Sequence, residues 1–203
     1  MSLSGKQNEA RADTAEIRLW FSALAHVVSR LEKTHATLVD AIVNMSWMTL
    51  DTATVKSYTL FIGMLLSARP EYLSLVLAKI AVGFTYSEFL SYFHITECLT
   101  CYAESGMQAL DASIPSSSKT PLTRRTVYER VHYLLRHLLS LIPTLPSTLQ
   151  PLLVRHFPHK RQIQDAQTTY IRNLLYVSSY CPELSDRILA TIVDRAIQID
   201  VCF

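Results

Sequence analysis

The sequence predicts an all-α protein, a solenoid of about four stacked helical hairpins. Apolar residues recur at spacings of three and four along most of the chain, the period of a helix with one buried face. Prolines and helix-capping residues interrupt these stripes. A hairpin-like pattern then repeats along the chain, with steps of about 37 and about 41 residues at its two ends.

Helices are predicted near 14–32, 34–45, 51–67, 70–83, 122–142, 147–157, 163–178 and 182–199. Asp51 suits an N-cap, because its carboxylate can accept from the free N–H groups of a first turn. Leu73, Leu77, Ile80, Ala81 and Phe84 make one stripe, and Pro70-Glu71 opens that helix. Proline lacks the N–H that a first turn leaves unused, and glutamate complements the helix dipole. Val127, Val131, Leu134, Leu135, Leu138 and Ile142 form the next stripe, and Pro143 and Pro146 break the chain after it. Pro182-Glu183 opens the last helix, whose stripe is Leu184, Ile188, Ile192, Ala196 and Ile199.

The hairpins echo one another. LLSARPEYLSLVLAKI from Leu65 and LLYVSSYCPELSDRILATIV from Leu174 share an apolar helix, a short serine-containing loop and a Pro-Glu restart. LLSLIPTLPSTLQPLL from Leu138 is a third version. The period is that of HEAT-like hairpins, with right-handed superhelical stacking expected. Each hairpin has one apolar face that only a neighbour can cover. The middle step, about 71 residues from Asp51 to Leu122, breaks the period. The expected organisation is a disordered N-terminus (1–13), two hairpins (14–84), an irregular insertion with a Ser/Pro linker (85–121), two further hairpins (122–200) and a truncated end (201–203).

Composition narrows the function classes. Hydrophobic residues are 49% of the chain, charged residues 18%, and there are only 4 glycines. Neither a disordered chain nor a glycine-rich phosphate loop fits. The 4 cysteines are too scattered for a secreted disulfide framework. The first twenty residues hold no apolar signal core, and the apolar-rich stretch Tyr58–Ala68 is too short for a bilayer. A reducing compartment, cytosol or nucleus, is expected. Net charge is only +2, yet from Lys119 to Arg161 eight basic residues face a single acid, Glu129. Such an excess can steer an acidic partner.

The C-terminal half carries a recognisable set of motifs. These are PLLVRHFPHKR at Pro151–Arg161, the run Tyr170-Ile171-Arg172-Asn173-Leu174-Leu175, the turn Tyr180-x-Pro182-x-Leu184, and the terminus Ile199-Asp200-Val201. With SRLEKTHATLVDAIV and FIGMLLSARPEYL in the first half, the chain resembles the RNA polymerase I-specific transcription initiation factor family. The resemblance implies a HEAT-repeat fold, a nuclear and nucleolar location, no catalytic activity and no cofactor. It also implies two partners: RNA polymerase I subunits and promoter-bound core factor. The family's polymerase contact is a serine-bearing patch, and none of its serines is carried over here.

Three features depart from the family pattern. The chain begins within the repeat region, stops at Cys202-Phe203, and carries a segment, Ser87–Glu104, without a family counterpart. Retained introns would account for the last two. Ser87-Glu88-Phe89 can be encoded AGT-GAG-TTT, containing a splice donor, and Tyr102-Ala103-Glu104 can be encoded TAT-GCA-GAG, containing an acceptor. Val201-Cys202-Phe203 can likewise be written as a donor read through.

The candidate partner surface is the basic cluster Arg124, Arg125, Arg130, Arg136, Arg155, His156, His159, Lys160 and Arg161. The competing reading is a solvated face that partly serves helix C-termini. Ser116, Ser117, Ser118 and Thr120, beside Lys119 and Arg124, are candidate phosphorylation sites. Cys98-x-x-Cys101 with His94 is half a zinc pattern, but no second pair completes it, so no metal is expected. Glu129-x-x-His132 has di-iron spacing, again without its companions, and reads as a solvated face. No nucleophile motif is present, and no sequence-specific DNA contact or membrane association is expected. Terminal hairpins with uncovered stripes predict self-association. Two other readings compete: a generic HEAT-type scaffold for another nuclear or trafficking assembly, and an α-helical enzyme using Glu129 and His132.

Overall fold

The structure is a computed structural model, and it describes residues 3–85 and 123–200. Among them are eight α-helices and no strand: α1 (Leu3–His26), α2 (Ala36–Asn44), α3 (Thr52–Ala68), α4 (Leu73–Gly83), α5 (Arg124–Leu141), α6 (Leu145–Arg155), α7 (Gln164–Tyr180) and α8 (Pro182–Asp200). Short 3-10 turns cover Val28–Arg30, Lys33–His35, Trp47–Thr49 and Pro70–Tyr72. The segment 86–122 lies outside the description. With it lie His94, Cys98, Cys101, the candidate phosphosites Ser116, Ser117, Ser118 and Thr120, and the splice boundaries at Ser87–Phe89 and Tyr102–Glu104; the third, at Val201–Phe203, also lies outside the described residues.

The predicted N-cap Asp51 operates as a physical cap. Asp51 Oδ2 accepts from the Ala53 and Thr54 N–H groups at 3.1 and 3.3 Å. Burial works to raise the Asp51 carboxyl, but these bonds and the Thr54 hydroxyl bond outweigh it and hold the group below its usual range. Thr123 Oγ1 accepts from Thr126 N–H at 3.2 Å and starts α5. Three boundaries differ from expectation. α1 begins at Leu3, inside the stretch read as disordered, since that stretch is free of proline and rich in residues a helix tolerates. Pro70 opens a 3-10 turn rather than α4 itself; the tighter turn buries Tyr72, whose hydroxyl reaches the Glu32 carbonyl at 3.5 Å. Pro146 lies in the first turn of α6 instead of breaking the chain before it.

The helices form two layers. In one, α1 packs on α3, α3 on α5, and α5 on α7; in the other, α2 packs on α4, α4 on α6, and α6 on α8. This is a HEAT-like solenoid of four hairpins, α1/α2, α3/α4, α5/α6 and α7/α8. Its repeat is measurable from polar ties between hairpins. Thr54–Thr14, Arg69–Ser29 and Tyr72–Glu32 each span 40 positions. Arg124–Asp165 and His132–Asn173 span 41, and Arg136–Tyr176 spans 40. The first step is thus 40, not 37. The second and third hairpins stack directly although 86–122 lies between them in sequence. A Cβ on Gly63 of α3 would stand 2.7 Å from His137 Nε2 and 2.9 Å from Leu141 Cδ1 of α5.

One continuous core runs through all four hairpins. Trp47 stacks on Tyr58 at 4.8 Å, and Tyr58 meets Phe21 edge-on at 5.5 Å. Phe84, Tyr170 and Phe157 continue this aromatic line across the second half. At the α8 end the expected uncovered stripe is Ile188, Ile192 and Ile199, of which the side chain of Ile199 lies outside the description. Ile188 is buried and Ile192 packs against the core, while Leu189, Val193 and Ile197 are exposed. Ile188 and Ile192 face inward on a helix packed against α6 and α7, so the outward face is their neighbour around the helix. Among the described residues, no single helix is long and apolar enough to cross a membrane.

A candidate partner-binding surface

The basic cluster does not form one patch. Secondary structure divides it by helix face, and tertiary packing gives several members internal partners. Arg124, at the start of α5, bonds Asp165 on α7 at 3.0 Å. Arg125 bonds Glu129 one turn along α5 at 2.8 Å, and that contact raises the arginine's pKa. Arg130 turns inward: its Nη1 donates to the Met48 carbonyl at 2.5 Å, and burial lowers its pKa. Arg124 and Arg130 thus tie one hairpin to another, Arg125 pairs only within its own helix, and the candidate surface loses Arg130 outright.

Arg136 is different. Its Nη2 donates to the Tyr176 hydroxyl at 2.7 Å. Its guanidinium carbon lies over the Tyr176 ring at 5.0 Å and the Tyr180 ring at 4.5 Å. The ion pairs among the described residues do not include it. It is held in one orientation on an exposed face, with most of its donor fork unused.

Arg155, His156, His159, Lys160 and Arg161 gather in the corner between α6 and α7. The buried Gln167 side chain organises this corner, donating to the carbonyls of His159, Lys160 and Gln162 at 3.2 to 3.3 Å. Its head groups therefore project from a shaped loop. His159, Lys160, Arg161 and Ile163 are exposed. His156 is half-buried, and burial with the neighbouring Arg155 charge lowers its pKa.

Glu129 and His132 do not share a face. Glu129 is exposed, whereas His132 is only 2% exposed, which corrects the solvated-face reading. Asn173 Nδ2 donates to the Phe84 and Thr169 carbonyls, both at 3.1 Å. Its Oδ1 must then accept from His132 Nε2–H, at 3.0 Å. That tautomer leaves Nδ1 to accept from the Tyr180 hydroxyl at 2.7 Å. Phe84 stacks on the imidazole at 5.0 Å, and Tyr176 closes it edge-on at 4.5 Å. Burial, helped by the Arg136 charge, lowers the His132 pKa to about 4 despite the opposing Asn173 bond. A neutral imidazole with both nitrogens occupied is a joint, not a catalyst or ligand. Among the described residues no group of three or more His, Cys, Asp or Glu could hold a metal.

Sequence reasoning missed this joint and the Tyr176–Tyr180 clasp. A signal existed: Asn173 is a polar residue inside an apolar stripe, flanked by Tyr170 and Leu174 on one helix face.

Two layers of stacked hairpins, with an exposed cationic corner and an arginine mounted on aromatic rings, define an all-α helical-repeat protein. The chain belongs to the RNA polymerase I specific transcription initiation factor RRN3 family, whose model matches residues 2–203. It is 29% identical over 202 residues to the Schizosaccharomyces pombe factor of that name, covering 97% of this chain and 28% of the relative. The mouse factor is 25% identical over 182 residues, covering 90% of this chain and 25% of the relative. The Saccharomyces cerevisiae factor is 22% identical, covering 96% and 26%. A crystal structure of the RNA polymerase I transcription initiation factor Rrn3 aligns with 93% of this chain at a TM-score of 0.67, 20% identity and 32% of its own length. The chain therefore spans roughly a quarter to a third of the relatives it matches.

Proposed function

We propose that this chain serves as a non-catalytic adaptor in RNA polymerase I transcription initiation. In this role it binds RNA polymerase I and brings it to promoter-bound core factor, in the nucleus and nucleolus. The observation that carries the reading is the family match along residues 2–203, on curated relatives that are all named as initiation factors for this polymerase. The physical form supports it. A stacked solenoid offers a large rigid surface whose ordering cost is already met in folding, so a few anchors and complementary charge suffice for affinity. Arg136, Arg155, His156, His159, Lys160 and Arg161 remain as candidate contacts, together with the outer sides of the Arg124 and Arg125 pairs. The test is capture: the immobilised 203-residue chain should retain purified RNA polymerase I and not RNA polymerase II. Equal retention of both, or of neither, would refute the adaptor role.

A further inference from the structure

The helices α3, α5 and α7 are consecutive neighbours in one layer, and each carries an exposed stripe. On α3 it is Lys56, Leu60 and Met64; on α5, Glu129, Tyr133 and Arg136; on α7, Arg172 and Tyr176. Leu60, Met64, Tyr133 and Leu141 are large apolar side chains that the fold leaves exposed. Gly63 fits against His137 and Leu141, which fixes the register of α3 on α5. That register sets Leu60 and Met64 level with the stretch from Tyr133 to Leu141. An apolar lane thus runs beside a cationic one formed by Arg136 and Arg172.

Arg136 is the ordered element of the cationic lane. Two tyrosine rings hold its guanidinium, and the Tyr176 hydroxyl takes one N–H. Arg172 is exposed one helical turn before Tyr176 on the same face. A planar fork held in place, with no carboxylate on it among the described residues, suits bidentate capture of an incoming one. Nucleic acid fits less well. Arg136 covers Tyr176 and Tyr180, His132 packs against both rings, and Glu129 places a negative charge in the ridge.

We propose that this ridge docks an amphipathic acidic segment of a partner protein, with Arg136 receiving a carboxylate and Leu60, Met64, Tyr133 and Leu141 receiving its apolar side chains. The proposal deepens the adaptor reading and rests on it only in taking the partner to be a protein.

The test uses the full 203-residue chain and a fluorescein-labelled peptide with glutamates flanking leucines at helical spacing, read by anisotropy. Parallel probes are the lysine-for-glutamate peptide, a phosphoserine-for-glutamate peptide and a single-stranded oligonucleotide. R136Q should weaken the glutamate peptide about tenfold, and R136K nearly as much, because lysine keeps the charge and loses the fork. The control variant R187Q, at an exposed cation of α8 in the other layer, should change it less than about twofold. Thermal melts of R136Q and R136K separate lost binding from lost folding, and Tyr176→Phe, which removes only the hydroxyl that orients Arg136, should also weaken the peptide. Binding unaffected by R136Q, absence of binding to the glutamate peptide, or a preference for the oligonucleotide, the lysine peptide or the phosphoserine peptide would overturn the proposal. Polymerase capture reads the adaptor role separately. Arg136-dependent peptide binding without capture removes that role and leaves the ridge; capture with Arg136-independent peptide binding does the reverse.

Discussion

Asn173 on α7 donates from Nδ2 to the backbone carbonyl of Phe84 at 3.1 Å, joining residues 89 positions apart. The same side chain accepts from His132 of α5. Three hairpins, the second, third and fourth, therefore meet at one amide. The bond fastens the stack across the 86–122 segment, where chain continuity does least to hold it.

Asn173→Leu should be among the more damaging single changes. It strands the Phe84 carbonyl and the His132 N–H in the core, at about 1–3 kcal/mol for each buried unsatisfied group. Urea denaturation should show a loss of roughly 3 kcal/mol with an unchanged m-value. A loss under about 1 kcal/mol would mean the joint is not a fastening.

His132 makes stability depend on pH in a definite direction. Its folded pKa of about 4 lies below the ordinary imidazole value of 6.5. Below 6.5 the unfolded chain binds a proton that the folded chain refuses, so stability is full above 6.5 and falls as pH drops toward 4. Between pH 6.5 and 4.5 the loss is about 2–3 kcal/mol, at about 1.4 kcal/mol per unit. His156, also lowered, acts in the same direction. Urea midpoints measured across this window should fall for the parent chain and fall less for His132→Gln. Parallel curves would contradict the assignment.

Gly63→Leu should separate α3 from α5. Even a Cβ at this position lies within 3 Å of His137 and Leu141 side-chain atoms. Overpacking of this kind costs about 1–3 kcal/mol. The melting temperature should drop, and no shift at all would show that the helices slide apart freely.

The two kinds of arginine should behave differently. Arg130→Ala removes a donor from the Met48 carbonyl and should cost about 1–3 kcal/mol. Arg124→Ala breaks an ion pair whose side chains are 37% and 55% exposed, and solvent screening keeps its cost below about 1 kcal/mol. Paired denaturation curves check the order; the reverse order would refute the division of the cluster.

Exposed apolar ends should make the chain self-associate. Leu19 and Trp20 are 70% and 69% exposed on α1, and Leu189, Val193 and Ile197 are exposed on α8. Sedimentation should depend on concentration, and Val193→Glu with Ile197→Glu should reduce it. A monodisperse parent chain at all concentrations would count against this.

Much of the fold was legible in the sequence because its signals are local. Asp51 and Pro182 act within one turn, and the apolar spacing of α5 names its buried face directly. Pro70 shows the margin of error, since tertiary burial of Tyr72 tightens the turn that the proline opens. The candidate site was less legible. Arg124, Arg125, Arg130 and Arg136 look alike in a string, yet they meet respectively a distant carboxylate, a local one, a carbonyl and two aromatic rings.

The sequence by itself determined that the chain is helical, where most helices start, and that hairpins recur near a fixed period, because backbone caps and a 3.6-residue stripe act over a few residues. Tertiary structure alone decided which cations are spent inside the stack and which stay outside, and that a histidine one turn from a solvated glutamate is sealed in the core. Those outcomes depend on residues about 40 to 90 positions away, brought close only when one hairpin lies on the next.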